Sequence, residues 1–446
     1  MNRLLATLAL GVFAGALDLS VLSPALPALG RDFTVHTADL AWVFTLYLLV
    51  TVVSIALAST LADRYGRRPV YLACIALFAA GSVVAIAAPS YGVLLLARAI
   101  QALGAGGIFP VATATIGDVV PAQRRGAALG IVAATWGLAA IVGPLVGGIV
   151  THFVSWRWIF AANVPLAAIV FAMALRTVPA YAPRSREPLD VGGLALLCLG
   201  LVALMDGLIA TRLWIGLLGI VILACFAIWE TAARAPIVPL ELLRGPQLAK
   251  TYALETLIGI LEGSLFFIPT VLVGAQGLSY LAAGLIAALG AFVFVAIIPA
   301  SGRALDRIGS RDVLLAGTIS TEIGLAIFAL GFQSLALSIV AIVVAGAGFG
   351  ALLGAPTRYI VTNEVPERVR ATAVGFLSQA LIVGQIVGSS LAGGLFALAQ
   401  NEIAGYRDAY LAFCAVAFIA LILVATLKPQ REERTHPIAE AAAGAV

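Results

Sequence analysis

Charge is scarce in this 446-residue chain. Asp, Glu, Lys and Arg make up 11% of it, against roughly a quarter in soluble domains. With 62% of residues hydrophobic, no water-soluble core could hide so much apolar surface, so a soluble globular protein is excluded. Cysteine is equally sparse. Cys74, Cys198, Cys225 and Cys414 fall inside apolar runs without paired spacing, which argues against a disulfide framework or a metal cluster. The three histidines, His36, His152 and His436, lie apart in loops or the tail and do not cluster with acids, so no metal centre is expected. There is no Gly-x-x-x-x-Gly-Lys-Ser/Thr phosphate loop, which speaks against ATP-driven work, and no cofactor is expected.

What the chain has is apolar runs of about twenty residues, each long enough to cross the hydrocarbon layer as a helix. Fourteen such spans are predicted, the first near 4 to 28, the ninth near 247 to 275 and the last near 406 to 427. The first is read as a helix rather than a secretory signal, because it carries Asp18, Pro24 and Pro27 and is too long for a signal core. With the N-terminus in the cytoplasm, only Arg31, Arg157, Arg212 and Arg407 fall on the outer side; the remaining loop Lys and Arg residues are inside, as orientation by positive charge requires. Both termini are therefore expected in the cytoplasm. The net charge of +4 serves topology and anionic headgroups and gives no reason to invoke nucleic acid.

The two ends of the chain repeat one another. Leu61-Ala62-Asp63-Arg64-Tyr65-Gly66-Arg67-Arg68 recurs as Ala304-Leu305-Asp306-Arg307-Ile308-Gly309-Ser310-Arg311, an offset of 243. Arg125, Gly130, Gly143 and Gly148 return as Arg370, Gly375, Gly388 and Gly393, an offset of 245, and Leu17-Asp18-Leu19-Ser20 as Leu261-Glu262-Gly263-Ser264, an offset of 244. Duplicated halves are a signature of transporters. The implied organisation is an N-terminal six-helix bundle (1–176), linkers carrying an inserted helix pair (177–246), a C-terminal six-helix bundle (247–427) and a disordered tail (428–446).

These residues resemble the major facilitator superfamily, and in combination its fourteen-helix branch of proton-coupled drug exporters. The family's Gly-x-Leu-Ala-Asp-Arg-x-Gly-Arg-Arg/Lys loop is met from Ser59 to Arg68, with Ser59 in place of the first Gly. Arg98-Ala99-Ile100-Gln101-Ala102-Leu103-Gly104 is similar to its helix-four Arg motif, with Ala102 where Gly is common. Gly143-Pro144-Leu145-Val146-Gly147-Gly148 looks like the stretch associated with exporters, and Leu17 to Ser20 resembles the first-helix motif of the fourteen-helix branch, with Ser20 where Thr is usual. The resemblance implies an all-α integral membrane fold of two pseudo-symmetric bundles plus the inserted pair, located as a monomer in the bacterial inner membrane. It implies antiport of protons against hydrophobic or cationic small molecules. Lipid or amphiphile movement, a non-transporting receptor or scaffold, and a membrane enzyme are the alternatives.

Ionisable groups within the bilayer are costly and call for a reason. Asp18 lies about fourteen residues, or roughly 21 Å, into its helix, and Glu262 lies at a similar depth. Removal from water favours a protonated carboxyl, so either residue is a candidate proton carrier, and the alternative is a hydrogen bond to a neighbouring helix. The resemblance implies that Arg98 supports proton transfer near Asp18; a structural ion pair is the alternative. Glu255, two turns before Glu262 on the same face, is a candidate for binding cationic substrate, with Trp42, Tyr47, Trp136 and Phe266 among the candidate cavity aromatics. Glu322 and Asp206 are read as structural. In the repeated loops, Asp63, Arg64, Arg67 and Arg68 form a candidate gate with Arg368 and Arg370, matched by Asp306 with Arg124 and Arg125. Gly143, Gly147 and Gly148 would let helices approach closely, and Pro144 would bend its span.

Overall fold

The computed structural model describes residues 2–180, 190–233, 243, 245–366 and 369–429. The linker segments 181–189 and 234–242, Arg368 and the tail from 430 onward lie outside the described residues. Among the described residues fourteen helices are long and apolar enough to cross a membrane. They are α1 (Asn2–Phe33), α2 (Ala41–Tyr65), α3 (Arg67–Ile86), α4 (Tyr91–Val119), α5 (Arg124–Phe153), α6 (Arg157–Thr177) and α7 (Val191–Ile209). The others are α8 (Leu213–Ala232), α9 (Pro246–Gln276), α10 (Tyr280–Ile308), α11 (Ser310–Gly331), α12 (Leu335–Glu364), α13 (Thr372–Leu398) and α14 (Glu402–Ala425). The fourteen predicted spans are all present.

The repeat survives in backbone geometry. Gly66 ends α2 at φ 96° and Gly309 ends α10 at φ 86°, conformations that cost a residue with a Cβ but not glycine. In each turn the glycine N–H returns to the carbonyl four residues back, Ala62 and Leu305 respectively, at 3.0 Å.

Three spans read from sequence as continuous helices are interrupted. The first consists of Asn2–Val21, a 3₁₀ turn at Ser23–Ala25 and Leu26–Phe33. The ninth consists of Pro246–Gly263, a 3₁₀ turn at Ser264–Phe267 and Ile268–Gln276. The twelfth stops at Leu352 and restarts at Pro356. Pro24, Pro27, Pro269 and Pro356 lie in or beside these interruptions, where proline's missing N–H and fixed φ favour a restart over continuation. In α1 and α9 the interruption follows closely after the intramembrane carboxylate. By contrast, helical structure in α5 continues through Pro144 from Ala122 to Phe153.

The chain forms two compact units. The first comprises Met1–Ile237, Phe266–Ala288 and Ser389–Gly405. Its buried apolar cluster includes Leu8, Val12, Tyr71, Phe78, Ile116 and Val170. Here α5 lies against α1 with no room for side chains. A Cβ on Gly143 would stand 2.0 Å from the Ser20 hydroxyl oxygen, and one on Gly147 would stand 2.0 Å from the Val21 carbonyl oxygen. The inserted pair packs closely as well, with Gly219 of α8 against the Leu204 backbone of α7. Asp190 caps α7 by accepting from the Gly193 N–H at 2.9 Å, and the Trp229 indole donates to the same carboxylate.

The second unit comprises Val238–Leu265, Leu289–Gly388 and Tyr406–Val446. Within it α13 meets α9 just as α5 meets α1: a Cβ on Gly388, the repeat equivalent of Gly143, would stand 2.2 Å from the Ile260 carbonyl oxygen. Each of these glycines thus seats the helix that bears its half's intramembrane acid. Gly143→Val or Gly388→Val is expected to cost about 1–3 kcal/mol or more by overpacking, read as a lower unfolding midpoint in detergent. Gly375→Ala, with nothing within 4 Å of the added carbon, is expected to leave the midpoint in place.

Candidate functional site

The first unit gathers polar side chains from five spans around Asp18, which is fully buried. Arg98 and Gln101 are three residues apart on α4, a spacing that puts both on one helix face. Arg98 Nη1 donates to Asp18 Oδ2 at 2.5 Å and to Gln101 Oε1 at 2.9 Å. Asp18 Oδ1 accepts from Asn163 Nδ2 of α6 at 2.6 Å and from Gln101 Nε2 at 3.2 Å. Gln101 also donates to Ser82 of α3 at 2.8 Å. The Tyr47 ring of α2 lies 4.0 Å beneath the Arg98 guanidinium. Arg98 is fully buried too; its Nε and Nη2 meet no acceptor among the described residues. A carboxylate and a guanidinium cancel here in the apolar interior, where either alone would be costly.

The second unit holds Glu255 and Glu262, both on α9. Gln385 Nε2 of α13 donates to Glu262 Oε2 at 2.8 Å. No Lys or Arg lies within ion-pair distance of Glu262 among the described residues. Glu255 is 5% exposed, with Thr357 and Arg358 of α12 nearby. Its Oε2 has no partner among the described residues. Tyr410 of α14 donates to the Ser264 carbonyl at 2.9 Å, bracing the turn that follows Glu262.

The remaining sequence candidates are dispersed. Phe266 stacks on Phe44 with centroids 4.4 Å apart, Trp136 stands edge-on to Phe109 at 6.4 Å and is 45% exposed, and Trp42 is half-buried. In the repeated loop, Asp63 pairs with Arg67 at 2.6 Å, and Arg67 Nε donates to Asp118 Oδ2 of α4 at 3.2 Å. Arg68 donates to the Leu175 carbonyl, Arg125 donates to the Val120 carbonyl at 2.8 Å, and the Arg64 guanidinium lies over the Tyr65 ring. Arg124 is exposed. Arg370 begins a helical segment with its Nε buried and unpartnered among the described residues. Asp306 occupies the repeat position of Asp63 in α10. Asn163, Gln385 and Asp118 were missed by the sequence reading. Each is a polar residue in an apolar span, and that rarity is itself a signal.

The family model of the Major Facilitator Superfamily matches residues 8–296 and, a second time, residues 256–445. The chain belongs to the Major Facilitator Superfamily. Among superfamily relatives, the chain is 31% identical to an uncharacterized MFS-type transporter of Bacillus subtilis, YfiU, over 88% of this chain and 79% of that one. It is 30% identical to the tetracenomycin C resistance and export protein of Streptomyces glaucescens, over 90% of this chain and 76% of that one. The crystal structure of a D-xylose-proton symporter matches 97% of this chain and 99% of that one with a TM-score of 0.70 at 15% identity, a likeness of fold. A superfamily chain with these relatives is a multi-pass membrane protein and a secondary transporter rather than an enzyme.

Proposed function

We propose that this protein is a proton-coupled antiporter that exports hydrophobic or cationic small molecules across the bacterial inner membrane by alternating access. The observation that carries this reading is the placement of Asp18 and Glu262. In each half an acid sits in the first span, just ahead of a helix interruption, and interrupted helices are where transporters build ion and substrate sites. A carboxyl there can take a proton when its site faces one side and lose it when a cation arrives from the other. The exporter-like stretch supports the direction of transport. Its Gly143 and Gly147 lie against Ser20 and Val21, the turn that follows Asp18. A relative named as a tetracenomycin C resistance and export protein supports export of a small molecule.

In this reading Glu255 recognises positive charge on the substrate, and Trp42, Tyr47, Trp136 and Phe266 offer apolar contact. Asp63, Arg64, Arg67 and Arg68, with Asp306, Arg124, Arg125, Arg368 and Arg370, form cytoplasmic gates whose ion pairs exchange as the site changes sides. Both termini are cytoplasmic, and one chain suffices. The test is movement of ethidium into liposomes by purified protein, driven by an imposed pH gradient.

A further inference from the structure

The two acids that the repeat makes equivalent are not equivalent in their surroundings. Asp18 has three donors: Arg98 Nη1 at 2.5 Å, Asn163 Nδ2 at 2.6 Å and Gln101 Nε2 at 3.2 Å. Its charge is cancelled within the same buried cluster. Protonating it would leave Arg98 as an uncompensated cation in a fully buried position, a state with a large penalty. Among the described residues Glu262 receives one neutral donor, Gln385 Nε2, and no Lys or Arg within ion-pair distance cancels its charge. The groups around it do not change this. Glu255, on its own helix, is another acid; Tyr410 of α14 spends its hydroxyl on the Ser264 carbonyl; and Arg358 of α12, near Glu255, makes no ion pair with Glu262 among the described residues. Taking up a proton makes Glu262 neutral and breaks no ion pair.

We propose that the exchanged proton resides on Glu262, positioned by Gln385, while Asp18 is held in a closed pair with Arg98 that joins α1, α4 and α6. The inference deepens the antiport reading and rests on it. One proton passes from water to a Glu262 carboxylate oxygen and returns to water when a substrate cation displaces it, so charge balances at the site. Gln385 favours the ionised form by donating to it, which makes it a positioning residue for the release step.

The test pairs chemistry with transport in full-length protein reconstituted in liposomes. Dicyclohexylcarbodiimide reacts with protonated carboxyls in apolar surroundings, and peptide mass spectrometry locates the adduct. Labelling is expected at Glu262 near neutral pH. Gln385→Leu, which removes a donor to the ionised carboxylate, should raise the labelled fraction at pH 8 several-fold, an effect on the pH profile that loss of packing alone would not produce. Glu262→Gln should lose ethidium movement driven by a pH gradient while keeping downhill exchange of ethidium for ethidium. The charge-neutral double variant Asp18→Asn with Arg98→Gln should transport more slowly but remain gradient-driven. Labelling on Asp18 in place of Glu262, or gradient-driven movement surviving in Glu262→Gln, overturns the assignment and leaves antiport standing. Absence of any gradient-driven movement in the folded native chain overturns the antiport reading and this assignment with it.

Discussion

Arg98→Met is expected to yield little folded protein. The substitution keeps most of the side chain's volume but strands the Asp18 carboxylate, fully buried, with only the amides of Asn163 and Gln101 as donors. Removing one partner of a buried pair costs about 3–5 kcal/mol, a large share of the 5–15 kcal/mol that typically separates folded from unfolded chains. Replacing both charges at once removes the pair without leaving an orphan. The double variant Asp18→Asn with Arg98→Gln should therefore regain most of the loss. A double-mutant cycle on unfolding midpoints in detergent gives the coupling directly. A single variant as stable as the native protein would mean that the pair does not hold this unit together.

Arg67→Ala is expected to act on rate more than on stability. The guanidinium bridges Asp63 at the end of α2 and Asp118 on α4 at 2.6 and 3.2 Å, so it ties three spans at the repeated loop. Asp63 is 44% exposed, and partly solvated pairs contribute only modestly to folding. If the pairs set the balance between transporter states, as proposed, losing them should slow ethidium transport about tenfold, or about 1.4 kcal/mol in the barrier, with a small change in the unfolding midpoint. Native transport rates together with a large fall in the midpoint would make the loop a packing element alone.

The elements legible in the sequence were those dictated by local chemistry. Runs of apolar residues gave fourteen spans because a helix crossing lipid has little freedom in composition. The repeat was visible in Gly66 and Gly309 because the two turns use the same left-handed backbone. The acids stood out because charge within an apolar span is rare. What the sequence hid was tertiary. Nothing local to Asp18 indicates that Asn163, 145 residues away, will donate to it, or that Gln385 will reach Glu262. Pairing across spans depends on how helices rotate against one another. The prolines around Ser23 and Phe267 were visible, but a proline can either bend a membrane helix or interrupt it. α5 continues through Pro144 while α1 breaks beside Pro24. The glycines advertised close packing without naming the surface they meet.

The central claim is exchange of a cationic small molecule for protons, and the most direct measurement is ethidium movement in liposomes containing the purified native protein, with an acidic lumen and a neutral exterior. The account predicts ethidium uptake that depends on the gradient, ceases when a protonophore collapses it, and is matched by alkalinisation of a trapped pH dye. Folded protein that moves neither ethidium nor protons under that gradient, or moves ethidium at the same rate without it, would contradict the account.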